Sequence, residues 1–207
     1  PRVKAGEPFR GVNVWPELDG FRDTMLAYYN AVHALSVRLH EAVATDLDLP
    51  TGYFAPHFTE PMATLRILAY PPASGEEGEI GAGAHTDYGG MTILMGEDEA
   101  GGLQVRTRSG DWIDVRTRPE IFIVNIGDLL MRWTNNIWVS NLHRVFNPPP
   151  DVANSMCRIS IVFFHQPNYD ALIECIPTCT DSNNPSRYPP VRSGNYRDKK
   201  YTDTLIV

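Results

Sequence analysis

Cysteine is scarce in this sequence. Three occur in 207 residues, Cys157, Cys175 and Cys179, and no C-x-x-C pair is among them. That argues against a disulfide framework and favours a reducing, cytoplasmic setting. Long apolar runs are missing too. The best, at 121–124 and 161–164, fall far short of the roughly 20 residues of a membrane span. Positive charge is in deficit, 18 Lys plus Arg against 25 Asp plus Glu, for a net charge of −7. A general phosphate-backbone binder needs the opposite sign, so a nucleic-acid partner is not expected. The one N-x-S/T acceptor, at 184–186, is disqualified by its proline. No charged-then-apolar leader opens the chain. It starts at Pro1 rather than Met, as expected of a processed or truncated start.

What is present is an ordinary globular composition, 43% apolar and 21% charged, long enough for one domain with a sizeable core. The first fifteen residues have no clear period and read as an extended lead-in. Phe21, Met25, Tyr29, Val32, Leu35, Leu39 and Val43 step by three and four, which predicts a helix over 21–46. Asp19 or Asp23 is a candidate cap. Beyond Pro61 the period changes. An extended segment over 62–70 precedes a Gly/Glu-rich loop at 74–83. Short strands are expected at 91–95, 103–107, 112–115, 121–126, 137–141, 144–146 and 158–165, with tight turns at 101–102 and 109–111. Many short strands separated by turns point to a sandwich, barrel or jelly roll, with flanking helices. The charged tail from Tyr196 reads as a solvated C-terminal helix.

His85 and Asp87 stand two apart at the mouth of a strand, so both project to one side of the backbone. His143 follows 56 residues later, near another strand. Two imidazoles and one carboxylate are three ligands on one face of an octahedron, the donor set of non-haem Fe(II) oxygenases. Fifteen residues past His143, Arg158 and Ser160 share one strand face. A planar guanidinium grips a carboxylate with two parallel hydrogen bonds, and a hydroxyl adds a third. That fork beside such a metal suits a keto diacid: the keto acid end chelates the ion and the distal carboxylate meets the arginine.

Several motifs together carry a family resemblance: TLRILAYPP at 64–72, GAHTDYG at 83–89, GLQV at 102–105, VNIGD at 124–128, RWTN at 132–135, LHRV at 142–145, RISIVFF at 158–164 and PNYDA at 167–171. From about Phe9 onward the chain resembles the isopenicillin N synthase-like family of Fe(II)/2-oxoglutarate-dependent oxygenases, in its bacterial and fungal subgroup. The resemblance implies a mainly β fold, a double-stranded β-helix or jelly roll, with the metal between its sheets. It implies a lead-in and helix over 1–60, an oxygenase core over 61–176 and a C-terminal loop and tail over 177–207, all one structural domain. It implies Fe(II) held by His85, Asp87 and His143, and 2-oxoglutarate held by Arg158 and Ser160 with Tyr70 as a third contact. Phe164, Leu68 and Trp133 are candidate substrate contacts. The implied reaction oxidises a small organic molecule with O2, hydroxylation being the expected outcome, and releases succinate and CO2.

Some features depart from the family. These 207 residues do not include the N-terminal segment usual ahead of Phe9, as expected of a fragment or truncated start, Leu68 stands where many relatives carry Asn, and the loop at 147–157 is long. Asp87 retains the carboxylate that related halogenases replace, which disfavours halogenation.

Other readings stay open at this point: an Fe(II) oxidase that does not use 2-oxoglutarate, a non-catalytic jelly-roll binding protein, or a zinc hydrolase. Oligomeric state is not legible. The bland readings are preferred elsewhere. His33, His40, His57 and His165 are read as satisfied core or surface histidines. Gly81 and Gly83 lack the strand-to-helix context of a phosphate loop. Cys175 and Cys179 have no further ligands nearby. Asp46 and Asp48 follow the helix end, and Glu76, Glu77 and Glu79 make a solvated loop. Trp133 and Asn135 are as readily buried as substrate-facing.

Overall fold

The computed structural model describes residues 3, 9–71, 80–96, 102–146 and 158–205. The glutamates at 76, 77 and 79, Gly101, the 147–157 loop and Cys157 lie outside the described residues.

The chain enters a 26-residue helix, α1 (Phe21–Asp46), whose N-cap is Gly20 at φ 73°. That left-handed conformation suits glycine. Neither Asp19 nor Asp23 caps the helix, although Asp23 lies in its first turn, where a carboxylate complements the dipole. A 3₁₀ turn (Ala55–Phe58) leads to β1 (Thr64–Tyr70), β2 (Ile80–His85), β3 (Met91–Gly96), β4 (Leu103–Arg106), β5 (Trp112–Asp114) and β6 (Ile123–Ile126). After α2 (Asp128–Trp133) come β7 (His143–Phe146), β8 (Arg158–His165) and β9 (Leu172–Ile173), then a second 3₁₀ turn (Pro177–Cys179), β10 (Val191–Arg192) and α3 (Ser193–Leu205).

Two four-stranded antiparallel sheets form the body, ordered β1-β8-β3-β6 and β2-β7-β4-β5. A cavity of about 520 Å³ lies between them and is lined from strands of both. This is the jelly roll expected of many short strands. β9 and β10 pair as a small separate ribbon.

Three details differ from the sequence reading. β2 takes the end of the stretch assigned to loop, because its pairing with β7 is irregular, shifting between Ile80 and Ala82 and again between Ala82 and His85. Residues 137–141 are not a strand; they follow α2, with Asn135 and Asn136 at positive φ. The C-terminal helix is only partly solvated. Arg197 is 6% exposed, paired with Asp198 at 2.7 Å.

The pleat of β8 divides the molecule. Phe163 and His165 face α1, where Phe163, Ile93 and Val32 are each 3% exposed or less. Arg158, Ser160, Val162 and Phe164 face the cavity. A second apolar cluster joins the end of α1 to the first 3₁₀ turn and α2 through Val43, Leu47, Phe54, Phe58, Leu129 and Trp133.

Three of the histidines read as bland, His33, His40 and His165, meet at the seam between α1 and β8. His33 Nδ1 lies 3.2 Å from His165 Nε2. His40 Nδ1 lies 2.8 Å from the Ser36 carbonyl. Phe58 stacks on the His165 ring at 4.5 Å. They are not fully satisfied: His40 Nε2 and His165 Nδ1 find no hydrogen-bond partner among the described residues. Burial pushes the His40 pKa down from 6.5 to about 4, although its bond to Ser36 works the other way. Burial, and then the charges of His40 and His33, push His165 down to about 2.

Both imidazoles are therefore neutral in the folded chain at neutral pH, while an unfolded histidine takes up its proton near 6.5. Their contribution to stability is complete above about 6.5 and is lost as pH falls toward the folded values. We expect roughly 1.4 kcal/mol of destabilisation per histidine on going from about pH 7.5 to about pH 5.5, measured by urea unfolding. The pH dependence should shrink in His165→Phe. A urea midpoint that does not move over that interval would contradict neutral burial.

Candidate functional site

His85 closes β2 and His143 opens β7, and the two are directly paired across the ladder. Their rings lie 4.3 Å apart between centroids, tilted by 56°. Asp87 stands two residues beyond His85 and is 6% exposed. Its Oδ1 is 3.9 Å from His85 Nε2 and 3.8 Å from His143 Nε2. One donor atom from each of the three residues lies within 4.8 Å of the others.

The surrounding bonds prepare those donor atoms. His85 Nδ1 donates to the Gly83 carbonyl at 2.7 Å, and His143 Nδ1 donates to the Asn141 carbonyl at 3.0 Å. With the proton held at Nδ1, each ring presents the Nε2 lone pair toward Asp87. Asn125 Nδ2 donates to Asp87 Oδ2 at 2.8 Å, which leaves Oδ1 facing the two imidazoles. Two neutral nitrogens and one carboxylate oxygen, each oriented by a second bond, fit a divalent transition metal with positions left open.

The backbone holds this arrangement from behind. Asp128 N–H donates to the Asp87 carbonyl at 2.7 Å, and Leu129 N–H donates to the Gly89 carbonyl at 3.0 Å. The start of α2 thus grips the chain just after the H-x-D pair. The approach requires glycine at 127, where a Cβ would stand 2.3 Å from the Gly89 carbonyl oxygen.

Arg158, Ser160 and Tyr70 meet in the same cavity because β1 and β8 pair in one register. Tyr70 is opposite Arg158 and Leu68 is opposite Ser160. The Arg158 guanidinium lies 4.3 Å from the Tyr70 ring centroid, a cation–π contact that holds the fork in place. Ser160 is 3% exposed. Leu68 and Phe164 line the cavity. Trp133 does not. It is 1% exposed and packs edge-on against Phe54 and His57 in the helix-side cluster, which corrects its assignment as a substrate contact. Asn135 is likewise buried, its side chain spent on the backbone of Cys179, Asn184 and Pro185. Sequence reasoning missed Asn125, whose motif was noted but whose bond to Asp87 depends on tertiary structure. It also missed Arg66, two residues from Leu68 on the same face of β1.

The sequence pattern of the 2OG-Fe(II) oxygenase superfamily matches residues 59–167. The chain is 38% identical over 189 residues to the 2-oxoglutarate-Fe(II) type oxidoreductase hxnY of Emericella nidulans, covering 87% of this chain and 52% of that protein. It is 31% identical over 208 residues to the homoarginine-6-hydroxylase 2-ODD-233 of Oryza sativa subsp. japonica, covering 97% of this chain and 62% of that protein. The fold superposes with a TM-score of 0.88 on a full-length Neurospora crassa protein solved in complex with alpha-KG and thymine, at 34% identity, covering 96% of this chain and 62% of that one. The chain therefore spans between half and two-thirds of the length of each.

Asp87→Ala and His143→Ala are expected to lose Fe(II) binding in an anaerobic calorimetric titration, with unchanged far-UV circular dichroism. Asn125→Leu should retain binding at an affinity about ten- to a hundredfold lower, because Asp87 loses its orienting bond. Undiminished affinity in Asp87→Ala would remove this group of residues as the metal site.

Proposed function

Because the chain belongs to the 2-oxoglutarate- and Fe(II)-dependent oxygenase superfamily, we propose that it oxidises a small organic molecule with O2 while 2-oxoglutarate is converted to succinate and CO2, with hydroxylation the expected outcome. The observation that carries this reading is the placement of an oriented His-Asp-His donor set and an arginine fork in one cavity. Similar proteins named as hydroxylases, and the Neurospora crassa structure holding alpha-KG with thymine, support a small-molecule substrate.

In this reading His85, Asp87 and His143 are the residues that would hold Fe(II). Bound iron with 2-oxoglutarate supplies the redox chemistry toward O2 that no side chain can provide. The chain contributes position and electrostatics. Asn125 keeps Asp87 from rotating. The carbonyls of Gly83 and Asn141 keep both imidazole protons at Nδ1. Arg158 receives the distal carboxylate of 2-oxoglutarate in a two-pronged ion pair, Ser160 Oγ adds a hydrogen bond, and Tyr70 backs the guanidinium. Val162, Leu94 and Val145 give the cavity apolar walls, which exclude water and strengthen that ion pair.

Anaerobic addition of Fe(II) and then 2-oxoglutarate should produce a visible charge-transfer band. In Arg158→Ala the band should need at least about a hundredfold more 2-oxoglutarate, from loss of a charged pair worth roughly 3 kcal/mol. Unchanged 2-oxoglutarate demand would move the keto acid site elsewhere. Substrate-dependent O2 uptake without 2-oxoglutarate would favour an iron oxidase instead.

A further inference from the structure

Two arginines face the interior of the barrel, and Arg158 accounts for only one of them. On β1 the side chains of Thr64, Arg66, Leu68 and Tyr70 alternate onto the inner face. Across the ladder they meet Phe164, Val162, Ser160 and Arg158 in turn. The Tyr70/Arg158 pair is therefore at one end of this face and Thr64/Phe164 at the other. Arg66 leaves the strand four residues from Tyr70, about 13 Å along the chain. The two guanidinium groups thus start from different levels of the barrel and can serve different anions.

The level of Arg66 has its own space. A second cavity of about 300 Å³ shares Arg66, Phe164, His85 and Asp87 with the first, and extends to Tyr88 and Tyr201. It includes two residues of the donor set, His85 and Asp87, and Arg158 is not among its described lining residues. Its character is aromatic. Tyr88 and Tyr201 meet edge to face at 5.9 Å, and Phe164 forms a further wall. Arg66 is the one cationic side chain among its described lining residues, and Asp87 the one carboxylate. Asp87 accepts from Asn125 through Oδ2, and its Oδ1 faces the two imidazoles at 3.8 and 3.9 Å. Among the described residues Arg66 forms no ion pair or hydrogen bond of its side chain. An arginine left without a carboxylate, beside aromatic walls and a donor set that carries a cation, creates a positive potential in a partly enclosed space.

We infer that Arg66 is the substrate-anion anchor of this enzyme, and that the molecule oxidised is a small organic acid whose carboxylate pairs with Arg66 while its apolar or aromatic body lies against Phe164, Tyr88 and Tyr201. This rests on the proposed function: 2-oxoglutarate occupies the Arg158 level and leaves the Arg66 level to the substrate.

The test uses the protein loaded with redox-inert Zn(II) and 2-oxoglutarate, so that binding is read without turnover. Matched probes are 4-phenylbutyrate against 4-phenylbutyramide and hexanoate against hexanamide, followed by saturation-transfer NMR and calorimetry. The acids should bind in preference to their amides. Arg66→Gln should weaken the acids by at least about tenfold, leave the amides unaffected and leave 2-oxoglutarate affinity unchanged. Arg66→Lys should restore part of the preference by keeping the charge. The inference is overturned if acids and amides bind alike, if neither acid binds at millimolar concentration, or if Arg66→Gln weakens both probe types equally. Intact 2-oxoglutarate binding with any of those results sinks this inference alone. Loss of 2-oxoglutarate binding by the parent protein sinks the proposed function and this inference with it.

Discussion

The pairing of β1 with β8 is the constraint on which both stability and site depend. Phe163 and His165 of β8 pack under α1, and Arg158, Ser160, Val162 and Phe164 face the cavity. A slip of one residue would drive Arg158 and Ser160 toward the helix and turn Phe163 and His165 inward. Such a slip would take the guanidinium out of the cavity, and removing Phe163 from its buried place under α1 forfeits about 2 kcal/mol. The register is thus fixed from both sides. The apolar set on the outer face and the charged set on the inner face select the same alignment, so the residues that fold the sheet also place Arg158 opposite Tyr70.

The metal-site residues obey a different constraint. His85 and His143 belong to the other sheet and owe their proximity to one cross-strand pair at the end of an irregular ladder. Asp87 lies past the end of that strand, where no ladder holds it. Its backbone is fixed instead by the start of α2, through Asp128 N–H, and its carboxylate by Asn125 of β6. Asp128 is itself 3% exposed. Its carboxylate accepts from Tyr196 at 2.8 Å and pairs with Lys200 at 3.0 Å. A buried carboxylate with both partners removed would be strongly destabilising. α3 therefore compensates the charge at the head of α2, and α2 in turn positions Asp87. The basic residues of the tail, which read as solvated in the sequence, include one that completes this relay.

Much of the site was legible because its chemistry is local. H-x-D and R-x-S each put two side chains on one face by the period of a strand alone, and α1 shows its buried face at three- and four-residue steps. What was hidden depends on partners distant in sequence. Asn125 lies 38 residues from the carboxylate it orients. α2, six residues long, is too short to show a period, and without it Trp133 could not be placed in the helix-side core. β2 hides in a glycine-rich stretch whose bulges break the alternation that marks a strand. His165 stands 132 residues from His33, and its contact with His33 and His40 arises only when α1 is laid across β8.

The apolar packing lies mainly outside the barrel, between α1, the first 3₁₀ turn, α2 and the outer faces of β3 and β8. The space between the sheets carries Arg66, Arg158, Ser160, Asn125 and the His-Asp-His set instead of a close-packed core. Folding energy and binding chemistry are therefore carried on opposite faces of the same strands. Truncating a side chain in the outer clusters leaves a void in close-packed surroundings and costs stability in proportion to its volume. Truncating Arg66 or Arg158 enlarges a cavity that is already open and removes charge from it, with little packing to lose. Changes at the inner face should consequently alter affinity and leave the fold intact, which allows losses of binding there to be interpreted as chemistry.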